Sequence, residues 1–274
     1  MIEIPESLNM AAQLNATVKG KRIAQVETEH TEHKFAFYGD NPQDYCKLMA
    51  GLVFGEARGI GSMVEISLGA YHFMINDGVN LRYYGSLTEI PARYQTRITF
   101  EDGSSLICSV QMYGAMVLFD PAHYDNIYYE VAVQKPMPLT ESFDEAYFTS
   151  LRDNVKPTLS IKAFLATEQR IPGLGNGVLQ DILFEAGLHP KRKINTLTEA
   201  DWQRVYRAVV DVLAAMTKAG GRDTEKDLFG KPGNYATRLS KKTLGSPCPR
   251  CGQNIQKVSY LGGTVYFCPG CQEV

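Results

Sequence analysis

Four cysteines near the C-terminus, Cys248, Cys251, Cys268 and Cys271, constrain this chain more than any other feature. They read C-x2-C, sixteen residues, then C-x2-C. Each C-x-x-C places two thiolates on one tight turn, and two such turns close a tetrahedron around Zn2+. Pro249, Gly252, Pro269 and Gly270 supply turn chemistry beside the ligands. Between the pairs, Ile255–Val258 and Thr264–Phe267 predict a β-hairpin turning at Gly262-Gly263. Two disulfides or a redox pair are the other readings of the same spacing, and structural Zn2+ is the expected cofactor. Cys46 and Cys108 stand alone and read as small buried hydrophobes.

The remaining chain divides by composition. Its 274 residues suffice for two modest domains with cores, plus the appendage. Residues 1–138 predict a β-sandwich or barrel, with short strands at Lys21–Val26, Phe35–Tyr38, Met63–Leu68, Tyr71–Asn76, Ile98–Phe100 and Leu106–Val110. Turns are expected at Asp77-Gly78 and Asp102-Gly103, and a helix over Leu8–Leu14. Pro136 and Pro138 mark a linker. Residues 139–240 are then helical: a capping box from Ser142 and Glu145, a start at Ser160, an apolar stripe from Val178 to Ala186 ending at Gly187, and a long helix from Thr198. Residues 241–274 form the finger. The fold class expected is α+β, multi-domain.

Charge is distributed unevenly. Residues 1–140 carry 10 Lys+Arg against 16 Asp+Glu, and the remainder carries 18 against 14. Within 226–257 seven bases, Lys241 and Lys242 among them, accompany the single acid Asp227. Such a stretch is the electrostatic footprint of a phosphate-backbone binder. The acidic N-terminus does not read as a signal peptide, and no apolar run reaches membrane-spanning length. A cytoplasmic protein is expected.

One loop narrows the function. Ile171-Pro-Gly-Leu-Gly-Asn-Gly177 joins two short predicted helices and presents backbone N–H groups at a helix N-terminus, which binds anions such as DNA phosphates. Gly173, Gly175 and Gly177 permit positive φ and close approach, and Asn176 adds a side-chain donor. The segment Lys156–Pro190 resembles the helix–two-turn–helix element of the formamidopyrimidine-DNA glycosylase and endonuclease VIII family. Cys248–Gln272 resembles that family's C-terminal zinc finger. The opening Met1-Ile-Glu-Ile-Pro-Glu6 is similar to its N-terminal signature, in which proline follows the initiator methionine.

The resemblance implies an enzyme that flips a damaged base from the duplex. An N-terminal amine then attacks the sugar C1′, giving a Schiff base that releases the base and permits strand cleavage. Glu3 matches the acid/base glutamate and Glu6 the second acid of the signature. Expected duplex DNA contacts are Gly173, Gly175, Asn176, Gly177, Tyr113, Arg58, Arg82, Lys156, Lys241 and Lys242.

Several positions depart from the pattern. Ile2 replaces the nucleophilic proline, and its branched bulk hinders removal of Met1, leaving the amine one residue, about 3.8 Å of chain, out of place. Ile60 stands where the family has a catalytic lysine, and Gly263 near its phosphate-gripping arginine. Asp77-Gly-Val79 and Gln111-Met-Tyr-Gly114 replace the loops that probe the duplex. The expectation is a monomeric DNA-repair protein that binds damaged duplex DNA, by resemblance a base-excision glycosylase and abasic-site lyase. The alternatives are a non-catalytic lesion-binding protein and a general zinc-ribbon nucleic-acid adaptor.

Overall fold

The computed structural model describes residues 1–76 and 78–272. Its first element is set by the acidic opening. Glu3 is the N-cap of helix α1 (Ile4–Thr17) and forms a reciprocal capping box with Glu6, the Glu3 N–H donating to Glu6 Oε2 at 3.2 Å. Pro5 lies in the first turn, where its missing N–H costs nothing. These signals start the helix four residues before the Leu8 expected from apolar spacing.

Strands then follow in order: β1 (Ile23–Thr28), β2 (Ala36–Tyr38), the short helix α2 (Tyr45–Met49), β3 (Ala57–Ile60), β4 (Met63–Leu68), β5 (Tyr71–Ile75), β6 (Val79–Tyr84), β7 (Thr96–Phe100), β8 (Ser105–Val110) and β9 (Gly114–Phe119). One sheet runs β1-β7-β8-β6, all antiparallel, and the other β2-β9-β5-β4-β3, with β2 and β9 parallel. Alternate residues of both sheets, such as Val26, Ile98 and Leu106 from one and Val64, Ile66 and Phe73 from the other, share a single core. The sequence gives little sign of β9, because Gly-Ala-Met-Val-Leu-Phe is a continuous apolar run without a period. The turn expected at Asp77-Gly78 involves Asp77, which lies outside the described residues.

Helix α1 lies along β3, and a glycine makes this possible. A Cβ on Gly59 would sit 2.8 Å from the Ser7 carbonyl carbon. Ser7 Oγ donates to the Gly61 carbonyl at 2.7 Å, and Asn15 exchanges two 2.8 Å hydrogen bonds with the Ala57 backbone. The N-terminus is thereby fixed against the sheet.

Contacts group the chain into two units rather than three stretches. The first takes Met1–Ile127 with Thr224–Gly233, and the second begins at Tyr128 and resumes at Asn234. The return is local physics: Leu228 is fully buried in the first unit's core, and Gln13 of α1 donates to Asp227 and accepts the Leu228 N–H.

The second unit contains α3 (Ile127–Gln134) from its second residue on, α4 (Glu145–Ser150), α5 (Ile161–Ala166), α6 (Asn176–Ala186), α7 (Glu199–Lys218) and the hairpin β10 (Gln256–Tyr260) and β11 (Gly263–Phe267). Ser160 and Thr198 are N-caps, and Gly187 closes α6 in the left-handed region at φ 70°. The capping box expected from Ser142 and Glu145 is not formed. Asp144 caps α4 instead, accepting the Tyr147 N–H at 2.7 Å, and Ser142 pairs with Thr140. A carboxylate one residue before the helix outcompetes a hydroxyl three before it. Phe148, Phe164 and Trp202 meet edge-on at the centre of this unit. Among the described residues no helix is long and apolar enough to cross a membrane.

Candidate functional site

The capping box and the α1–β3 staple carry Met1 to the surface of the first unit while Ile2 is sunk into the core at 4% exposure. The Met1 ammonium is ion-paired with Glu225, a residue of the returning segment. Around this amine is a shallow depression lined by Ile2, Glu6, Asn80, Arg82, Glu225 and Lys226. Met1 also lines a neighbouring depression with Gly78, Asn80, Gln111, Met112 and Tyr113. Burial holds the Arg82 guanidinium below its usual pKa, against the opposing pull of Asp227, Tyr84 and Glu225. Glu3 and Glu6 are both buried, and their carboxylates serve the helix start.

Two loops meet tightly beside the amine. A Cβ on Gly78 would overlap the Tyr113 carbonyl oxygen at 1.6 Å, so only glycine allows the approach. Met112 and Tyr113 stay exposed at 71% and 44%. Both side chains project from the loop in which Tyr113 was expected to stack or wedge. Arg58 is engaged within its own unit: Nη2 donates to both carboxylate oxygens of buried Glu65 at 3.2 Å, and His72 Nδ1 meets the same carboxylate.

In the second unit the glycine-rich loop runs into α6, with Gly175 as its N-cap in extended backbone and Asn176 and Gly177 in its first turn. Only Gly173 of the three glycines takes positive φ, at 82°. The conformational burden falls instead on Glu168 and Gln169, at φ 58° and 50°. Arg170 holds that turn by donating from Nη1 to the carbonyls of Ala163, Phe164 and Thr167 at 3.1–3.3 Å. Asn176 Nδ2 donates to the Thr264 carbonyl at 2.8 Å, and Gln180 reads the same strand, donating to Thr264 O and accepting the Tyr266 N–H. Lys162, nearly buried, donates to Tyr260 O at 2.7 Å. Lys156, Lys241 and Lys242 are exposed, and Lys242 is paired with Asp223 at 2.9 Å.

The four finger cysteines converge. Their sulfurs all lie within 4.8 Å of one another, with Cys251–Cys268 at 3.3 Å and Cys248–Cys271 at 3.8 Å. Sulfurs bound tetrahedrally at about 2.3 Å from one ion stand about 3.8 Å apart, whereas a disulfide needs about 2.05 Å. The cluster therefore fits a shared metal ion. Burial opposes ionisation of Cys248, but hydrogen bonds from the backbone N–H groups of Arg250 and Cys251 and with the thiols of Cys268 and Cys271 together outweigh it and bring the thiol down to about 7. Gln272, beside the cluster, accepts the Cys268 N–H and donates to the Leu188 carbonyl, tying the finger to the end of α6. Cys108 is fully buried, which pushes its thiol up to about 12 and leaves it inert.

Residues 135–227 match the model of the formamidopyrimidine-DNA glycosylase H2TH domain. The chain is 30% identical over 191 residues to the formamidopyrimidine-DNA glycosylase of Enterococcus faecalis, covering 68% of this chain and 67% of that protein. This chain belongs to the formamidopyrimidine-DNA glycosylase family. Another member, from Listeria innocua, is 28% identical over 281 residues and is covered end to end, as is this chain. Among solved structures, the Thermus thermophilus MutM (Fpg) protein superposes with a TM-score of 0.81 at 26% identity, covering 98% of both chains. Lactococcus lactis Fpg in complex with DNA containing an abasic site gives 0.83 at 23% identity, covering 99% of this chain and all of that one. The contacts of Glu225 and Gln180 were not legible in the sequence, because each acts on a partner that only the fold brings near.

Proposed function

We propose that this protein is a base-excision repair protein that binds damaged duplex DNA and acts on it as a DNA glycosylase and abasic-site lyase through the Met1 amine. The observation that carries this reading is the placement of that amine in the wall of two adjoining depressions, one of them ending in Met112 and Tyr113. A flipped sugar seated there offers C1′ to a primary amine. The new N–C1′ bond forms as the bond to the damaged base breaks, and the resulting imine makes C2′ acidic enough for strand cleavage. Asn176, Gly177, Lys156 and Lys241 are proposed to hold phosphates, independently of sequence. The cysteine cluster is proposed to hold Zn2+, which supplies folding energy to the finger rather than chemistry.

A second reading, lesion binding without cutting, is favoured by Ile60 in place of the family's lysine and by the buried Ile2 amide where the family has an amine. Both readings predict that a competition gel-shift at physiological salt gives at least tenfold tighter binding to an abasic-analogue duplex than to intact duplex. Equal affinity for abasic duplex, intact duplex and RNA would instead support a general zinc-ribbon adaptor.

A further inference from the structure

We propose that Glu225 is the acid/base residue for the Met1 amine, in the role that the family resemblance gives to Glu3. The inference rests on the lyase reading above. Its ground is a division of labour between three carboxylates. Those of Glu3 and Glu6 are buried and committed to the reciprocal capping box that starts α1. Protonating either one weakens that box. The Glu225 carboxylate is about one-quarter exposed and sits on the nitrogen that must lose its proton.

The placement is built, not incidental. Leu228 is buried in the core, and its carbonyl accepts the Tyr83 N–H of β6 at 2.9 Å. Gln13 holds Asp227 at 2.9 Å and the Leu228 N–H at 3.0 Å. Asp227 in turn accepts the N–H groups of Phe229 and Lys231 at 3.0 and 2.8 Å, and the Gly233 N–H closes the loop on the Glu225 carbonyl at 3.2 Å. An ordinary surface ion pair has no such scaffold.

The chemistry balances without a further reactant. Glu225 takes one proton from the Met1 ammonium. The freed lone pair attacks C1′ of the abasic aldehyde, the N–C1′ bond forms, and the carbonyl π pair moves to oxygen, which takes a second proton from the nitrogen. The Glu225 carboxylic acid then protonates that hydroxyl. Water leaves as the C1′–O bond breaks, the nitrogen lone pair closes the iminium, and the carboxylate is restored.

The test compares initial rates of borohydride trapping on an abasic-site duplex for the full-length protein, E225Q and E225A, with gel-shifts on a duplex carrying a tetrahydrofuran abasic analogue. Glutamine can still accept a hydrogen bond from the amine but cannot take its proton. The expected result is an E225Q rate at least tenfold below wild type, analogue affinity within twofold, and recovery of E225A by added formate. An E225Q rate within twofold of wild type, with the adduct mapped to Met1, overturns the proposal. Loss of analogue binding together with the adduct, or no formate rescue, assigns Glu225 a structural role and overturns it equally. A wild type that forms no adduct removes the lyase reading itself, and the role of Glu225 with it; that outcome is read before any variant is compared.

Discussion

At the second position, one side chain changes both where the amine lies and what surrounds it. Ile2 is apolar and branched and packs into the core at 4% exposure, and with Met1 retained its own nitrogen is an amide. The terminal amine then belongs to Met1 and meets Glu225. Ile2→Pro allows Met1 to be removed and returns a secondary amine to the second position. Because misplacement of about 1 Å costs up to a hundredfold, this variant should form borohydride adduct at least tenfold faster. The loss of buried side chain should lower stability by about 1–2 kcal/mol in urea unfolding. Intact mass confirms the loss of Met1, and an unchanged rate in the processed protein argues against the amine's position as the limiting factor. What could be read from the residues alone was the departure from the signature. Its consequence could not be read, since Met1 and Glu225 are separated by 224 positions.

The finger and α6 behave as one element. Gln180 and Asn176 of α6 and Lys162 of α5 bond to finger backbone, and Gln272 of the finger donates to the Leu188 carbonyl, so the finger's geometry depends on these helices as well as on its cysteine cluster. Replacing Cys268 with Ala should abolish metal binding, measured as zinc per chain. DNA affinity should drop at least tenfold, and retained zinc stoichiometry would contradict the four-cysteine site. His189 packs edge-on against Phe267 with ring centroids 4.5 Å apart, and its Nδ1 accepts the Lys191 N–H at 3.2 Å. Burial, then the charge of Lys191, lowers its pKa. The folded value lies below the unfolded one, so the unfolded chain takes up the proton first on acidification. The stability tied to neutral His189 is complete above the ordinary imidazole value and is lost as pH falls through the lowered one. An imidazole proton titration by NMR should show a midpoint below the usual histidine range; a midpoint at or above it contradicts the packing. The finger was legible because cysteine spacing is a local code. The bonds to α6 were not, because a buried glutamine carries no pattern in the sequence.

For the molecule as a whole, the order of a β-sandwich, a helical region and a cysteine finger was readable from period, caps and spacing. Those signals are local; the caps at Ser160 and Thr198 formed, while the Ser142–Glu145 capping box did not. Contacts that join distant segments were hidden: β9 beside β2, and above all the return of Thr224–Gly233 to the first unit. That return supplies both Leu228 for the core and Glu225 for the amine, so a stretch assigned to the helical region by composition helps to build the amine site. The charge step between the halves, from a balance of 10 against 16 to one of 18 against 14, supports the proposal that phosphates are held mainly by the second half. The central claim is that an amine at the N-terminus still reaches C1′. Borohydride trapping of the purified protein on an abasic-site duplex, with peptide mapping of the adduct, tests it most directly. A covalent adduct on Met1, absent with intact duplex, is the predicted result. Tight abasic-site binding with no adduct contradicts it, and leaves a lesion-binding member of the family that does not use amine chemistry.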